Sequence, residues 1–461
     1  MKSNIIDLHN AFLKQDFSYV NDAHKKETEN QYRQNITVKT LNDISNLDGD
    51  KSSLLYGVPY TLKDLYSTKG IRTTGGSKIL EQYLPPFNSQ VYELLTKNGG
   101  ILISKSNLDE FGMGGSGLYG PYGDIINPYD SNYIVGGSSG GSAVQVATNI
   151  VPFSVVTDTA DSARSPASYL GIVGFKPSYG AISRYGVIPY APSLDTVGIL
   201  ANYVADISIV NHILAAHDER DFTSQKNITT CELPKTIDNI KISVIKGIEE
   251  FLPQQIKDIY LDNINSLSKK YEITYVDFSL ELIETISPIY MIISYAEAAS
   301  TFSNYTGITF GKTIQEKNFQ NSAKAFRSAN FSNMVKRKLI IGNKFLNDWN
   351  QEPTFVKAKK IRGVIVEEFK KILDATDCLI IPSHSMFSPS IEDFKGGKLS
   401  GIGQWYAADL LNLANFAGTP SLTLPTYKDG VKNFGININC KQFDDQKLID
   451  ISYTLENYFT K

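Results

Sequence analysis

Two serines and one lysine are the residues of this sequence best suited to nucleophilic catalysis. Ser138 lies among four glycines in residues 136–141, and Ser162 follows 24 residues later. Lys63 lies in a mostly apolar run, residues 59–65. Because desolvation disfavours the ammonium form of a lysine, a buried Lys63 could carry a neutral amine and act as a general base. A relay from Lys63 through one serine to the other would then produce a serine nucleophile.

The same residues have other interpretations. A glycine-rich stretch commonly packs a helix against a sheet, and a lone lysine commonly extends along apolar surface to reach solvent. Residues 136–140 also fit the GxSxG pattern of an α/β-hydrolase, in which Ser138 would be the nucleophile. That fold needs a strand before the serine, and residues 132–135 make a poor strand. It also needs a histidine base, for which the downstream candidates are His212, His217 and His384.

Cofactor and metal motifs are weak in this sequence. Residues 115–120 fit the GxGxxG pattern, but other glycines rather than a strand precede them, which disfavours a dinucleotide site. No GK[ST] phosphate loop is present. The cysteines Cys231, Cys378 and Cys440 lie far apart and form no CxxC pair, so neither a zinc site nor a disulfide framework is expected. We therefore expect this chain to hold no cofactor and no metal.

Composition restricts the partners and the compartment. The formal net charge of −3 over 461 residues argues against a broad nucleic-acid-binding surface. The N-terminal residues lack the apolar core of a signal peptide, and no stretch approaches the ~18 apolar residues of a membrane span. Together with the scattered cysteines, these features predict a cytoplasmic protein that does not contact a membrane.

The elements around the two serines predict an α/β fold. A run rich in β-branched residues over 150–156 predicts a buried strand, and small residues over 142–147 predict a helix. Both serines would then lie in loops at the ends of buried elements, where reactive side chains commonly lie.

The remaining segments continue this alternation of helices and strands. Residues 1–50 predict a helical lead-in, and residues 421–439 predict a hairpin. Other predicted helices are 201–216, 254–270 and 354–374, and other predicted strands are 100–104, 240–245, 271–276 and 378–381. Without a repeat or a clear linker, we expect one large α/β domain.

With these blocks, the sequence resembles the amidase signature family. Residues 136–143 (GGSSGGSA) are similar to the first signature block, and residues 158–167, with residues 171–177 after them, are similar to the second. The resemblance implies one domain over residues 1–461, with a large mixed β-sheet and helices on both faces. Its parts would be the helical lead-in (1–50), a signature core with the catalytic residues (53–216), and a C-terminal part that completes the sheet and the substrate pocket (237–461).

The resemblance also implies a Ser-Ser-Lys triad. Ser162 would be the acyl nucleophile, Ser138 the bridging serine after a cis peptide bond, and Lys63 the base. Asp158 and Arg164 flank the nucleophile, and we interpret them as a structural ion pair. An oxyanion hole would be formed by the backbone N–H groups of Thr159, Ala160, Asp161 and Ser162.

Further blocks resemble the branch of this family that hydrolyses glutamine for tRNA-dependent amidotransferases. These blocks are residues 107–114, 127–130, 179–186 and 193–198. The resemblance implies that ammonia passes to a separate tRNA-activating subunit, which amidates Glu-tRNA(Gln) or Asp-tRNA(Asn) with ATP and magnesium. A small third subunit would complete a heterotrimer, and tRNA would contact this chain only through the partner.

Four residues are implied to bind glutamine. Asp409 matches the position that binds the α-amino group, and Met113 matches a pocket-lining position. The α-carboxylate needs a cation, either Arg337 or Lys338, and the register of the block favours Lys338. Taken alone, Asp409 would more often be a solvated acid, and Met113 would more often belong to the core.

Departures from the family pattern leave alternatives open. Ala160 and Asp161 stand where the family usually has two glycines. A carboxylate facing the developing oxyanion would oppose it, so we expect the Asp161 side chain to point away. The alternatives are a stand-alone amidase acting on small amides and a degenerate scaffold subunit. A short lead-in and a proline-poor hairpin make the mitochondrial matrix an alternative to the cytoplasm.

Overall fold

An 11-stranded mixed β-sheet organises the chain in a computed structural model, which describes residues 3–41, 44–308, 313–347, 349, 351–397 and 409–460. The spatial order is β1-β3-β2-β4-β6-β5-β10-β11-β9-β7-β8. The strands are β1 (Asn35–Val38), β2 (Pro59–Lys63), β3 (Ile101–Ser106), β4 (Phe153–Asp158), β5 (Val173–Lys176), β6 (Thr196–Ala201), β7 (Lys241–Ile245), β8 (Glu272–Val276), β9 (Cys378–Pro382), β10 (Ser421–Asp429) and β11 (Lys432–Asn439).

Helices cover both faces of this sheet. Within the described ranges they are Ile5–Leu13, Ser18–Glu29, Gln90–Lys97, Gly140–Ala147, Arg164–Leu170, Val204–Leu214, Gln254–Leu267, Leu280–Thr301, Phe319–Asn330, Asn333–Leu346, Lys357–Ala375, Ile391–Lys395, Asn412–Ala417 and Asp445–Thr460. Successive strand side chains point to opposite faces. Accordingly, Leu102 packs into the larger apolar cluster, whereas Ile101 and Ile103 pack into a second cluster with Val144. This architecture confirms the predicted single α/β domain.

The geometry of β2 and β4 brings the two halves of the predicted site together. These strands are parallel neighbours, with Leu62 opposite Val155. Because parallel strands end at the same edge of a sheet, Lys63 at the end of β2 lies beside the loop that follows Asp158 at the end of β4. Ser162 lies in that loop, between β4 and the helix Arg164–Leu170.

Several predicted boundaries are wrong by a few residues. The strand predicted over 150–156 is Phe153–Asp158, which includes the polar Thr157 and Asp158 because their side chains are bonded inside the site. The helix predicted over 201–216 is Val204–Leu214, since Ala201 is the last residue of β6.

The helical lead-in also contributes a strand that the sequence did not predict. After its two helices, β1 pairs antiparallel with β3 at the edge of the sheet. The predicted hairpin is confirmed as β10 and β11. In the described part of the chain, no helix is both long enough and apolar enough to cross a membrane.

Candidate active site

Lys63 is fully buried at the end of β2. Its Nζ atom lies 2.8 Å from Ser138 Oγ, 2.9 Å from Ser139 Oγ and 3.0 Å from Thr157 Oγ1. Burial lowers the pKa of Lys63 to about 7, although four nearby carboxyl groups favour the charged form: Asp109, Asp158, Asp195 and Asp161. A substantial fraction of the amine is therefore neutral at neutral pH, as a general base requires.

Ser138 connects this amine to Ser162. The Ser138 hydroxyl donates a hydrogen bond to Ser162 Oγ over 3.1 Å, and the Gly137–Ser138 peptide bond is cis. With Lys63 charged, protons point from Nζ toward Ser138 and from Ser138 toward Ser162. Loss of the Lys63 proton lets both hydrogen bonds reverse, so that Ser162 donates to Ser138 and Ser138 donates to Nζ. The structure brings all three predicted residues into one hydrogen-bonded chain.

The loop before Ser162 leaves its backbone donors available. In the described part of the molecule, the N–H groups of residues 159–162 donate no hydrogen bond. The Ala160 carbonyl accepts a hydrogen bond from Arg164 over 2.6 Å, so the N–H group of the same peptide, on Asp161, points to the opposite side. Asp161 is not among the residues with positive φ, so its backbone does not require glycine. These free amides suit an oxyanion hole.

A buried ion pair holds this loop. Arg164 donates from Nε to Asp158 Oδ2 over 3.1 Å and from Nη2 to Asp158 Oδ1 over 2.9 Å. Burial alone would raise the pKa of Asp158, but Arg164 outweighs burial and lowers that pKa to about 2. Arg164 also donates to Leu411 O over 2.8 Å and to Asn415 Oδ1 over 2.6 Å. The pair therefore ties the nucleophile loop to the helix Asn412–Ala417.

The GxGxxG segment, residues 115–120, binds an internal carboxylate. Asp109 accepts hydrogen bonds from the backbone N–H groups of Ser116, Gly117 and Tyr119 over 3.2, 3.1 and 2.9 Å. At Gly137, a Cβ atom would lie 2.2 Å from Asp109 Oδ2, so this close approach requires glycine. This glycine-rich loop therefore supports the segment before Ser138, where the sequence pattern had weakly suggested a dinucleotide.

A cavity of about 420 Å³ adjoins the nucleophile loop. Ala160 and Asp161, the two residues directly before Ser162, form part of its lining. A second cavity of about 580 Å³ shares Tyr119, Met334 and Arg337 with the first, but it includes no residue of the nucleophile loop. The smaller cavity is therefore the one placed to bind a substrate.

Charged groups of both signs line this substrate cavity: Asp161, Asp409, Arg337 and Lys338. Burial, with repulsion from Asp161 second, raises the pKa of Asp409 to about 7. Burial also lowers the pKa of Lys338 to about 8. In the described ranges, none of these four side chains forms a salt bridge.

The two candidate carboxylate-binding cations differ in setting. Lys338 Nζ donates to the Met113 carbonyl over 3.0 Å and lies 5.2 Å from the centre of the Tyr295 ring, whereas Arg337 is exposed. The Met113 side chain is buried in the main core and is not part of the cavity lining. Met113 therefore contacts the site through its carbonyl oxygen, which accepts the hydrogen bond from Lys338, and its side chain does not have the implied lining role.

Sequence reasoning missed several residues of the site. Ser139 and Thr157 both contact the Lys63 amine. Ser287, Tyr290, Met291 and Tyr295 line the cavity from the helix Leu280–Thr301. Their spacing places them along one helical face, which was the available signal. No sequence feature connected that face with the serines.

None of the three candidate histidines of the α/β-hydrolase interpretation bonds to Ser138 in the described residues: His212 and His217 are exposed, and His384 is buried. His384 lies 2.9 Å from the Tyr169 hydroxyl, and burial lowers its pKa to about 3. In the described residues, the side-chain partners of Ser138 are Lys63 and Ser162. Ser138 thus has a lysine where that interpretation needs a histidine. The same part of the chain contains no cluster of three or more acidic, histidine or cysteine residues arranged to hold a metal.

Comparison with known proteins gives a consistent result. A family model described as Amidase matches residues 19–449. The glutamyl-tRNA(Gln) amidotransferase A-subunit of Mycoplasma genitalium is 41% identical over 480 aligned residues, which cover 100% of this chain and 99% of the relative. The protein of the same name from Mycoplasma pneumoniae is 42% identical and covers 88% of this chain and 87% of its own length.

A solved structure extends the likeness to the fold. The crystal structure of the glutamyl-tRNA(Gln) amidotransferase A-subunit from Thermotoga maritima superposes with a TM-score of 0.76 at 27% identity. The superposition covers 98% of this chain and 91% of that one. The similarity therefore includes both the sheet edge that carries the serines and the segments that enclose the substrate cavity.

Proposed function

The chain belongs to the amidase family, and we propose that it is the glutaminase subunit of a tRNA-dependent amidotransferase. The observation that carries this proposal is the substrate cavity, whose two acids and two bases lie unpaired beside a hydrogen-bonded Lys63–Ser138–Ser162 chain. Charged groups in a partly buried site are normally paired, because desolvation penalises an isolated charge. A zwitterionic amide satisfies both signs at once, and glutamine is such an amide.

The proposed chemistry begins with neutral Lys63. Its amine takes a proton from Ser138, Ser138 takes one from Ser162, and Ser162 Oγ attacks the side-chain amide carbon of glutamine. Backbone N–H groups of residues 159–162 stabilise the oxyanion. The proton returns through Ser138 to the leaving nitrogen, which departs as ammonia. Water then hydrolyses the glutamyl ester on Ser162 and releases glutamate.

The proposed partners follow from the names of the relatives, which are subunits of an amidotransferase. A tRNA-activating subunit would use ATP and magnesium to activate the carboxyl of Glu-tRNA(Gln), or of Asp-tRNA(Asn), and receive the ammonia. A small third subunit would complete the assembly, and the cytoplasm is the proposed compartment. These assignments explain why a hydrolase would be built as one part of a larger enzyme.

The decisive first test is covalent labelling of Ser162 with a fluorophosphonate. Labelling at Ser162, absent in Ser162→Ala, is expected. An intact chain that fails to react would support the scaffold alternative, and labelling at Ser138 would support the α/β-hydrolase alternative.

A second test separates the two enzyme alternatives. Glutaminase activity of the isolated chain should be weak and should rise by roughly tenfold or more with the partner subunits, which corresponds to about 1.4 kcal/mol in the barrier. Robust turnover of small uncharged amides by the isolated chain, without any response to partners, would identify a stand-alone amidase.

A further inference from the structure

Asp161 lies between the nucleophile and the substrate cavity in the chain. It directly precedes Ser162, it is half-buried, and it lines the substrate cavity together with Asp409. Ser165 and Ser287, the hydroxyl partners of these two carboxyls, also line the cavity. In the described residues neither carboxyl has a salt-bridge partner. The fold therefore presents two carboxyls to the cavity without a salt bridge to either, and the nearby charges of Arg164 and Lys63 only partly offset the rise in the pKa of Asp161.

The two carboxyls interact with each other. Repulsion from Asp161 is the second cause, after burial, that raises the pKa of Asp409 to about 7. Burial, with repulsion from Asp158 second, raises the pKa of Asp161 to about 7 as well. Two carboxyls that share a site resist ionising together. A cation bound between them removes that resistance, because it attracts both charges.

In the described residues, Lys338 forms no salt bridge with either carboxyl. Lys338 is engaged by the Met113 carbonyl and by the Tyr190 and Tyr295 rings. It is therefore placed to attract an anionic group while the acids attract a cationic one. In glutamine, four bonds of about 1.5 Å separate the α-nitrogen from the amide carbon. That reach is short enough for the residue next to Ser162 to contact the α-nitrogen while Ser162 attacks the amide.

We propose that Asp161 is a specificity-determining residue that binds the α-ammonium group of the substrate together with Asp409. This inference rests on the proposed glutaminase function and adds a second ligand for the ammonium. It also gives a role to a carboxylate that would otherwise oppose the oxyanion, since the bound ammonium offsets its charge. An amide without the α-ammonium leaves the pair of carboxyls without a counter-ion.

The experiment compares Asp161→Asn with the wild-type chain, both co-expressed with the partner subunits. Asn keeps the shape of the side chain and removes its charge. The substrates are glutamine and glutaramate, which is glutamine without the α-amino group. For glutamine, KM should rise about tenfold, because the neutral amide oxygen of Asn replaces a charged acceptor and weakens the hydrogen bond to the ammonium. For glutaramate, KM should stay the same or fall, because Asp161→Asn removes a carboxylate that has no counter-ion in that complex.

Two further variants test the pairing. Asp409→Asn should likewise raise KM for glutamine without raising KM for glutaramate. The double variant should raise KM by less than the product of the single effects, because both residues bind one group. Asp161→Gly, which removes the whole side chain, should raise KM for glutamine at least as much as Asp161→Asn.

Other results would overturn the inference in distinguishable ways. Equal changes in KM for glutamine and glutaramate would show that Asp161 does not bind the ammonium. Unchanged KM with a displaced pH profile of kcat would show that Asp161 acts through Lys63 instead. Wild-type complex that labels at Ser162 but hydrolyses no glutamine would refute the proposed function, and this inference with it.

Discussion

The buried triad and the substrate cavity lie a few residues apart but differ in how their polar and charged groups are paired. In the triad, Lys63, Ser138 and Ser162 are at most 3% exposed, and their polar atoms are bonded to one another or to neighbours. In the cavity, Asp161 and Asp409 form no salt bridge in the described residues. Protein groups complete the first region, and a ligand must complete the second.

This contrast shows how the work of catalysis is divided. Polar groups that are satisfied in advance need no reorganisation during the reaction, which is what proton transfer and oxyanion stabilisation require. Groups that are left unsatisfied make binding selective, because only a ligand with matching charges compensates their desolvation. Substitutions in the triad should therefore reduce kcat, and substitutions in the cavity should mainly raise KM for glutamine.

The largest effect is expected at the nucleophile. Ser162→Ala should lower kcat for glutamine hydrolysis on the order of 10⁴-fold or more, since loss of a nucleophile removes the covalent route. Thermal unfolding should be nearly unchanged, because Ser162 contributes little packing. Ser142→Ala is the matched control: Ser142 directly follows the glycine-rich segment that contains Ser138, it is fully buried, and its hydroxyl makes no hydrogen bond in the described residues. If Ser162→Ala retains substantial activity while Ser138→Ala does not, the order of the relay is wrong.

The pH dependence of the triad should follow Lys63. Since the base is the neutral amine and its pKa is about 7, kcat at saturating glutamine should be constant well above pH 7. Below pH 7 it should fall by about tenfold per pH unit, because each unit of acidity removes that fraction of neutral amine. Lys63→Ala should abolish acylation of Ser162, and with it the decrease in kcat below pH 7. A profile that stays flat down to pH 5 would contradict the assignment of Lys63 as the base.

The same contrast explains what the sequence could predict. The triad residues lie in local blocks whose residue types already specify the chemistry, and β2 and β4 bring those blocks to one sheet edge. The cavity instead combines the helix Leu280–Thr301 with Lys338 and Asp409, which are far apart in the chain. Only packing decides which faces of these segments meet.

The shift of the strand over 150–156 has a similar origin. Thr157 and Asp158 are polar, so local preference ends the strand before them, yet contacts with Lys63 and Arg164 keep both inside the fold. Local sequence thus locates the chemistry, while the edges of the elements depend on tertiary hydrogen bonds. The orientation of the Met113 side chain, which packs into the core, depends on the same kind of contact.

Arg164 links the two regions, and its loss should affect stability. Arg164→Met leaves Asp158 as a buried carboxylate without its cation, which should reduce the free energy of unfolding by about 3–5 kcal/mol. Urea denaturation would measure this loss. Lys360→Met is the control, because Lys360 is 71% exposed in its pair with Glu352, and exposed pairs contribute at most about 1 kcal/mol. Equal losses in the two variants would mean that burial of the Asp158–Arg164 pair has no special effect.

The smallest expected effect distinguishes the two cations of the cavity. Lys338 is half-buried and its ammonium is positioned by the Met113 carbonyl, whereas Arg337 is exposed and its attraction is screened by solvent. Lys338→Met should therefore raise KM for glutamine about tenfold, and Arg337→Met should raise it less than about threefold. The informative substrate is 4-aminobutanamide, which is glutamine without its α-carboxylate. Its KM should be insensitive to Lys338→Met, because the group that Lys338 binds is missing. The contrary outcome is that Arg337→Met has the larger effect on KM for glutamine and none on KM for 4-aminobutanamide. In that case the carboxylate binds toward the exposed end of the cavity, and Arg337 belongs to the set of cavity groups that a ligand must pair.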